Sequence, residues 1–157
     1  MKKILPTILI ILITFFSCSE DDESNKTDED YLRGTWTIKK SKTYYYLNGE
    51  PDTLKESILE EPWSTLNFNS NKEVTYSNPD YTKPVIGKWV LNDKVLRTDL
   101  KIDPGSSTGY GPVYFFPENA ITLLNDTELK LISPMSLEAT HSNGDKIKYY
   151  SETYLEK

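Results

Sequence analysis

The chain of 157 residues holds one histidine, His141, and one cysteine, Cys18, and those two positions bound its chemistry. Nucleophilic catalysis by a Ser-His pair would have to use His141, and no G-x-S-x-G elbow accompanies it. The spacing of Leu137, Ala139 and His141 puts the imidazole on the apolar face of a strand. A hydrogen-bonded, semi-buried histidine is the expectation there. One histidine cannot build a histidine-rich metal site, and no D-x-[DN]-x-[DN]-G calcium loop occurs. Asp99 and Asp103 are the nearest approach to a carboxylate pair, with no context to set their acidities apart, so both are expected as exposed acids. The residues therefore point to a protein that is not an enzyme and uses no cofactor or metal.

Cys18 lies between an apolar run and an acidic one. Lys2 and Lys3 precede the 13 residues Ile4 to Phe16, a length that fits the core of a secretory signal and falls short of the ~20 residues that span a bilayer. The sequence Phe15-Phe16-Ser17-Cys18 resembles the lipobox cleaved by the bacterial lipoprotein signal peptidase, with Phe15 where leucine is usual. The resemblance implies that residues 1–17 are a lipoprotein signal peptide and that Cys18 becomes the lipidated first residue of the mature chain. The alternative is an ordinary secretory signal with an incidental cysteine. A thiol can carry a thioether-linked diacylglycerol, and at about 0.8 kcal/mol per buried methylene, two or more acyl chains hold a protein on a membrane. The mature chain then has no cysteine for disulfides or thiolate metal sites.

Ser19, Glu20, Asp21, Asp22 and Glu23 follow at once, with Asp28-Glu29-Asp30 shortly after. An acidic run in this position resembles the surface-export signal of Bacteroidetes lipoproteins, which implies an outer-membrane protein, lipid-anchored and facing the cell exterior. A periplasmic-facing protein is the alternative. Charge-rich, apolar-poor composition also predicts a disordered tether over residues 18–30, and both readings can hold together. Without Lys2 and Lys3, 16 basic residues stand against 24 acidic ones, a mature charge of −8. Such acidity argues against nucleic acid and against direct binding to anionic headgroups.

Residues 31–157 have the length of one domain. Their apolar periodicity is mostly two, the strand signature. Leu66 and Phe68 alternate with polar residues, Val85, Gly87, Trp89 and Leu91 share one face, and Leu96, Thr98, Leu100 and Ile102 share the next. Tight turns are expected at Ser70-Asn71, Asn92-Asp93, Asn125-Asp126 and Asn143-Gly144, the last a strong hairpin signal. About eight antiparallel strands with short connections predict an all-β barrel or sandwich. One helix is expected between the first two strands. Thr53-Leu54-Lys55-Glu56 fits a capping box, Leu54, Ile58 and Leu59 form a stripe, and Pro62 stops it. Asp52-Thr53-Leu54 also resembles a short O-glycosylation motif of exported Bacteroidetes proteins, although a capping hydroxyl explains Thr53 as well.

The stretch "YLRGTWTI", Tyr31 to Ile38, resembles the opening of lipocalin-like and other calycin domains. There a Gly-x-Trp sends its tryptophan across the closed end of the barrel, which implies Trp36 as the barrel plug. "NFNSN" at Asn67 to Asn71 and "GKW" at Gly87 to Trp89 extend the likeness to small lipocalin-like lipoproteins of Bacteroidetes. The resemblance implies an antiparallel up-and-down barrel. In lipocalins an arginine near the C-terminus covers the first-strand tryptophan; here no arginine follows Arg97.

The chain carries 11 Tyr, 5 Phe and 3 Trp, residues whose flat apolar faces and polar edges suit sugar, peptide or amphiphile surfaces. Tyr44 and Tyr46, with Tyr110, Tyr114 and Phe116 from the long stretch Asp103 to Asn119, are the candidate ligand-binding residues at the barrel mouth. The same aromatics would equally serve to plug a small core. If alternation continues unbroken from Trp36 and Ile38, Lys40 and Lys42 point into the lumen and favour a carboxylate or sulfate ligand. A β-bulge would instead return both to water. The function expected is a surface-tethered, non-enzymatic module binding a small molecule or a protein partner. A structural or accessory lipoprotein of an outer-membrane assembly, without a ligand cavity, is the alternative. Cys18→Ala should abolish acylation and leave unprocessed precursor, measured by fatty-acid labelling and mobility; membrane-anchored mature protein from that variant contradicts the lipid anchor.

Overall fold

A computed structural model describes residues 26–58, 64–102 and 113–157. Helix α1 (Asp28–Leu32) precedes twelve strands: β1 (Gly34–Leu47), β2 (Glu50–Ile58), β3 (Thr65–Phe68), β4 (Glu73–Ser77), β5 (Val85–Asn92), β6 (Val95–Thr98), β7 (Lys101–Ile102), β8 (Val113–Tyr114), β9 (Glu118–Leu124), β10 (Glu128–Ile132), β11 (Ala139–Thr140) and β12 (Lys146–Glu156). Hydrogen bonding runs β12-β10-β9-β6-β5-β4-β3-β1, and β1 pairs with β12 to close the ring. The result is an eight-stranded antiparallel barrel, as the sequence predicts. β7 and β8 form a separate two-stranded ribbon.

β1 and β12 outrun the barrel. β1 pairs with β3 only over Gly34 to Thr37, then with β2 over Lys40 to Leu47, while its other edge stays on β12 from Thr37 to Leu47. β12 likewise begins beside β11 and pairs with β10 only from Glu152 onward. The order β2-β1-β12-β11 therefore makes a four-stranded wing projecting from one end of the barrel.

The capping-box helix expected at Thr53 to Glu61 is not formed. Thr53 to Ile58 lie in β2, paired with β1, and residues 59–63 fall outside those described. The deciding signal is Asn48-Gly49, with φ of 51° and 91°, the two positive values of a type I′ turn. That turn folds the chain straight back along β1, and edge pairing outweighs a weak local helix preference. The capping box is instead at Thr27 and Asp30, where each side chain meets the other's backbone amide. This shortens the expected tether, since α1 belongs to the domain and its Leu32 is fully buried.

Among the described residues, an apolar cluster packs inside the barrel. Trp36, Leu66, Phe68, Val74, Trp89, Leu96, Leu129, Leu131 and Leu155 are essentially without exposure. At the end where β1 begins, Trp36 donates Nε1–H to the Leu32 carbonyl at 2.6 Å, and the Lys157 ammonium lies 4.6 Å from its ring centroid. Trp36 is fully buried at this end, with Lys157 lying over its ring. α1 is tied to the turns at this closed end by Asp28 with Lys94 at 2.5 Å and Glu29 with Lys72.

At the opposite end the chain after β6 folds inward. Leu100 is fully buried, and the Asp99 carboxylate accepts the Lys88 amide. Gly87 makes room for that crossing, because a Cβ there would lie 2.5 Å from Asp99 Oδ1 and 3.0 Å from the Leu100 nitrogen. Trp36→Ala should cost about 3–5 kcal/mol as a core truncation, read from urea unfolding. Gly87→Ala should destabilise as well by forcing Asp99 and Leu100 outward, whereas Gly49→Asn, in open space at a φ that Asn tolerates, should change the midpoint little.

Candidate functional site

Alternation along β1 is broken once. Ile38 pairs with Leu155 and Lys40 with Tyr154, so Lys39 is an inserted residue, a β-bulge. The bulge puts Ser41, Thr43, Tyr45 and Leu47 in phase with the barrel interior and Lys40, Lys42, Tyr44 and Tyr46 in phase with its outside. The lumen lined by two ammonium groups is therefore not built.

On that outer face, directly opposed residues meet across the strands. Tyr44 stacks on Tyr150 with centroids 4.7 Å apart and planes 10° from parallel, and Tyr46 leans on the same ring at 6.4 Å. Glu152 is the hub. Its carboxylate accepts from Tyr154 Oη at 2.6 Å and from Tyr44 Oη at 3.4 Å, and pairs with Lys130 Nζ at 3.1 Å. The ammonium groups of Lys130 and Lys40 lie 5.1 and 5.7 Å from the Tyr154 centroid. Burial alone would raise the Glu152 pKa, yet the hydrogen bonds from Tyr154 and Lys130 and the Lys130 charge outweigh it and hold the carboxyl below its ordinary value. Partial desolvation, then the negative charge of Glu152, push the Tyr44 phenol up; desolvation and Tyr46 do the same to Tyr150. Burial works against the charge on Lys130, but its bond to Glu152 prevails and raises its pKa.

The chain matches no family model, no curated protein and no solved structure.

The barrel mouth is the second aromatic locus. Strand direction brings the connections after β4, β6 and β10 to the end from which the wing springs. Phe115 stacks on Tyr76 at 5.0 Å and packs on the core, and Tyr81 meets Tyr76 edge-on at 6.2 Å. Thr98 Oγ1 donates to the carbonyls of Phe115 and Phe116, at 2.7 and 3.1 Å, holding this segment over the opening. Asp80, Tyr81, Thr82, Lys83 and Val85 line an open recess of about 310 Å³ beside it.

The expected binding residues are thus divided. Tyr44 and Tyr46 come together, joined by Tyr150, on the outside of the wing. Phe116, at φ 51°, packs against the core, and Tyr114 on β8 is exposed. Tyr110, Asp103, Cys18 and Ser19 to Glu23 lie outside the described residues. His141 is exposed at the turn after β11, where its amide donates to the Asp145 carbonyl, and not half-buried on a strand face. Among the described residues, no three His, Cys, Asp or Glu side chains gather as a metal would require. Sequence reasoning missed Lys130, Tyr150 and Glu152 as a group, because Lys130 meets the other two only through the β10–β12 pairing; the bulge at Lys39 then brings Tyr44 onto the same face.

A carboxyl with a lowered folded-state pKa contributes stability above its unfolded value, near 4.3, and loses it as pH falls through the folded value. The raised Lys130 pKa contributes below the unfolded lysine value and is lost only in strong alkali. Glu152→Gln should therefore lower stability at pH 7 and flatten its decline between pH ~5 and the acid limb, measured by urea midpoints across pH. A parallel decline in wild type and variant contradicts the hub.

Proposed function

We propose that this chain is a lipid-anchored, non-enzymatic binding protein that uses its barrel as a scaffold and meets a protein partner on the wing and mouth. The packed core carries the reading: among the described residues, Trp36, Trp89 and Phe68 are buried together inside the barrel. Among the described residues, Tyr44, Tyr45, Tyr46, Tyr149 and Tyr150 lie on the wing and Tyr81 and Tyr114 near the opening, as in surfaces that bind through tyrosine. Cys18 supplies the anchor, and Ser19 to Glu23 the address to the outer face of the outer membrane.

A small-molecule reading rests on the recess at Asp80 to Val85, whose volume is at the lower edge of ligand pockets. Its walls come from one connection, which makes it the lesser candidate. A photo-crosslinking residue placed at Tyr46 or at Tyr114 should give discrete higher-mass adducts on intact cells, with none from Ile86, exposed on the outside of β5. Tyr46→Ala and Tyr114→Ala should weaken that capture while shifting the thermal midpoint little. Equal adducts from all three positions, or none, contradict partner binding at this end.

A further inference from the structure

We infer that the barrel stands with its closed end toward the membrane, so that the wing is the part of the molecule farthest from the lipid. The inference rests on the anchor at Cys18 and adds to it the direction in which the chain leaves the fold.

The N-terminal segment arrives at one place. Lys26 Nζ pairs with Asp126 at 3.0 Å, in the turn joining β9 to β10, and lies 5.3 Å from the Tyr31 ring centroid. Asp28 reaches Lys94 in the β5–β6 turn, and Glu29 reaches Lys72 beside the β3–β4 turn. Three turns that ring the closed end each receive a residue of this short strap. Exposed ion pairs are worth about 0–1 kcal/mol each, so they do not fasten it alone. The fastening comes from Leu32, fully buried, whose carbonyl takes the Trp36 indole hydrogen, and from Lys157, which bonds the Tyr31 carbonyl at 2.7 Å. Among the described residues, a pull on the N-terminus is therefore delivered to the closed end.

Eight residue steps separate Cys18 from Lys26. Fully extended they reach at most about 26–29 Å. β1 starts at the closed end with Gly34 and runs to Leu47 near the wing tip, about 43 Å at ~3.3 Å per residue. The strap is shorter than the strand it hangs from. The closed end is thereby confined near the bilayer, and the tips at Asn48-Gly49 and at Ser142-Asn143 are held away from it. Tyr44, Tyr46 and Tyr150 then face a partner that approaches from the aqueous side.

Two serines report the orientation. Ser70 is exposed in the closed-end β3–β4 turn, and Ser142 is exposed at the tip of the β11–β12 hairpin. With Cys18 carrying lipid, Ser70→Cys and Ser142→Cys each provide a single thiol for a donor fluorophore. The full-length lipidated chains are returned to phosphatidylethanolamine–phosphatidylglycerol vesicles that carry an acceptor-labelled lipid. Energy transfer from position 70 should exceed that from position 142 by at least about twofold, since strand rise sets the positions tens of ångström apart. Equal transfer, or more from position 142, in chains that float with the vesicles overturns the orientation and leaves the anchor standing. Chains that fail to float overturn the anchor, and the orientation with it.

Discussion

The pairing of β1 with β12 is the constraint on which the rest of the structure depends. From Thr37 to Leu47 one strand edge is held by one partner, while the opposite edge changes from β3 to β2. The first few pairs close a barrel, and the remainder carry a wing. Because side chains alternate strictly along a strand, a single inserted residue decides what each part presents. Lys39 is that residue. Without it, Lys40 and Lys42 would face the interior, where unpaired ammonium groups are costly. With it, they stand on the outer face beside Tyr154 and Glu152, and Tyr44 and Tyr46 accompany them.

The two barrel ends are closed by different means. One is sealed by packing: Trp36 under Leu32 and Lys157, with α1 laid over the turns. The other is sealed by chain crossing, as Leu100 turns inward past Gly87 and Phe115 stacks on Tyr76. A scaffold filled in this way leaves its surface to do the binding. Tyrosines on the wing are held by stacking and by bonds to Glu152, which lowers the entropy lost when a partner orders them further. Tyr149, in inner phase on the wing, is exposed, as are Met135 and Leu137 in the connection before β11.

Much of this was legible in the sequence. Period-two alternation at Leu66, Phe68, Val85 to Leu91 and Leu129 to Leu131 located the barrel strands. Local signals failed where tertiary pairing overruled them. Thr53 to Glu56 has the letters of a capping box, but Asn48-Gly49 folds that stretch back on β1 before a helix can nucleate. The actual box at Thr27 and Asp30 uses an aspartate and lies in a segment whose charge reads as tether. The Tyr44–Tyr150–Glu152–Lys130 group was out of reach for another reason. It draws on three strands, joined by the β10–β12 register and by the bulged β1–β12 register, and no spacing within any one strand announces it.

Amide hydrogen exchange across β1 tests the account most directly. If β1 serves barrel and wing as one continuous strand, amides from Lys40 to Leu47 are protected, together with those of Ile147 to Ser151 opposite them. Trp36 and Ile38 in the barrel should then exchange only on global unfolding. Unprotected exchange from Lys40 to Leu47, beside a protected Trp36 and Ile38, would show that the strand ends at the bulge, and the wing with its tyrosine face would fall.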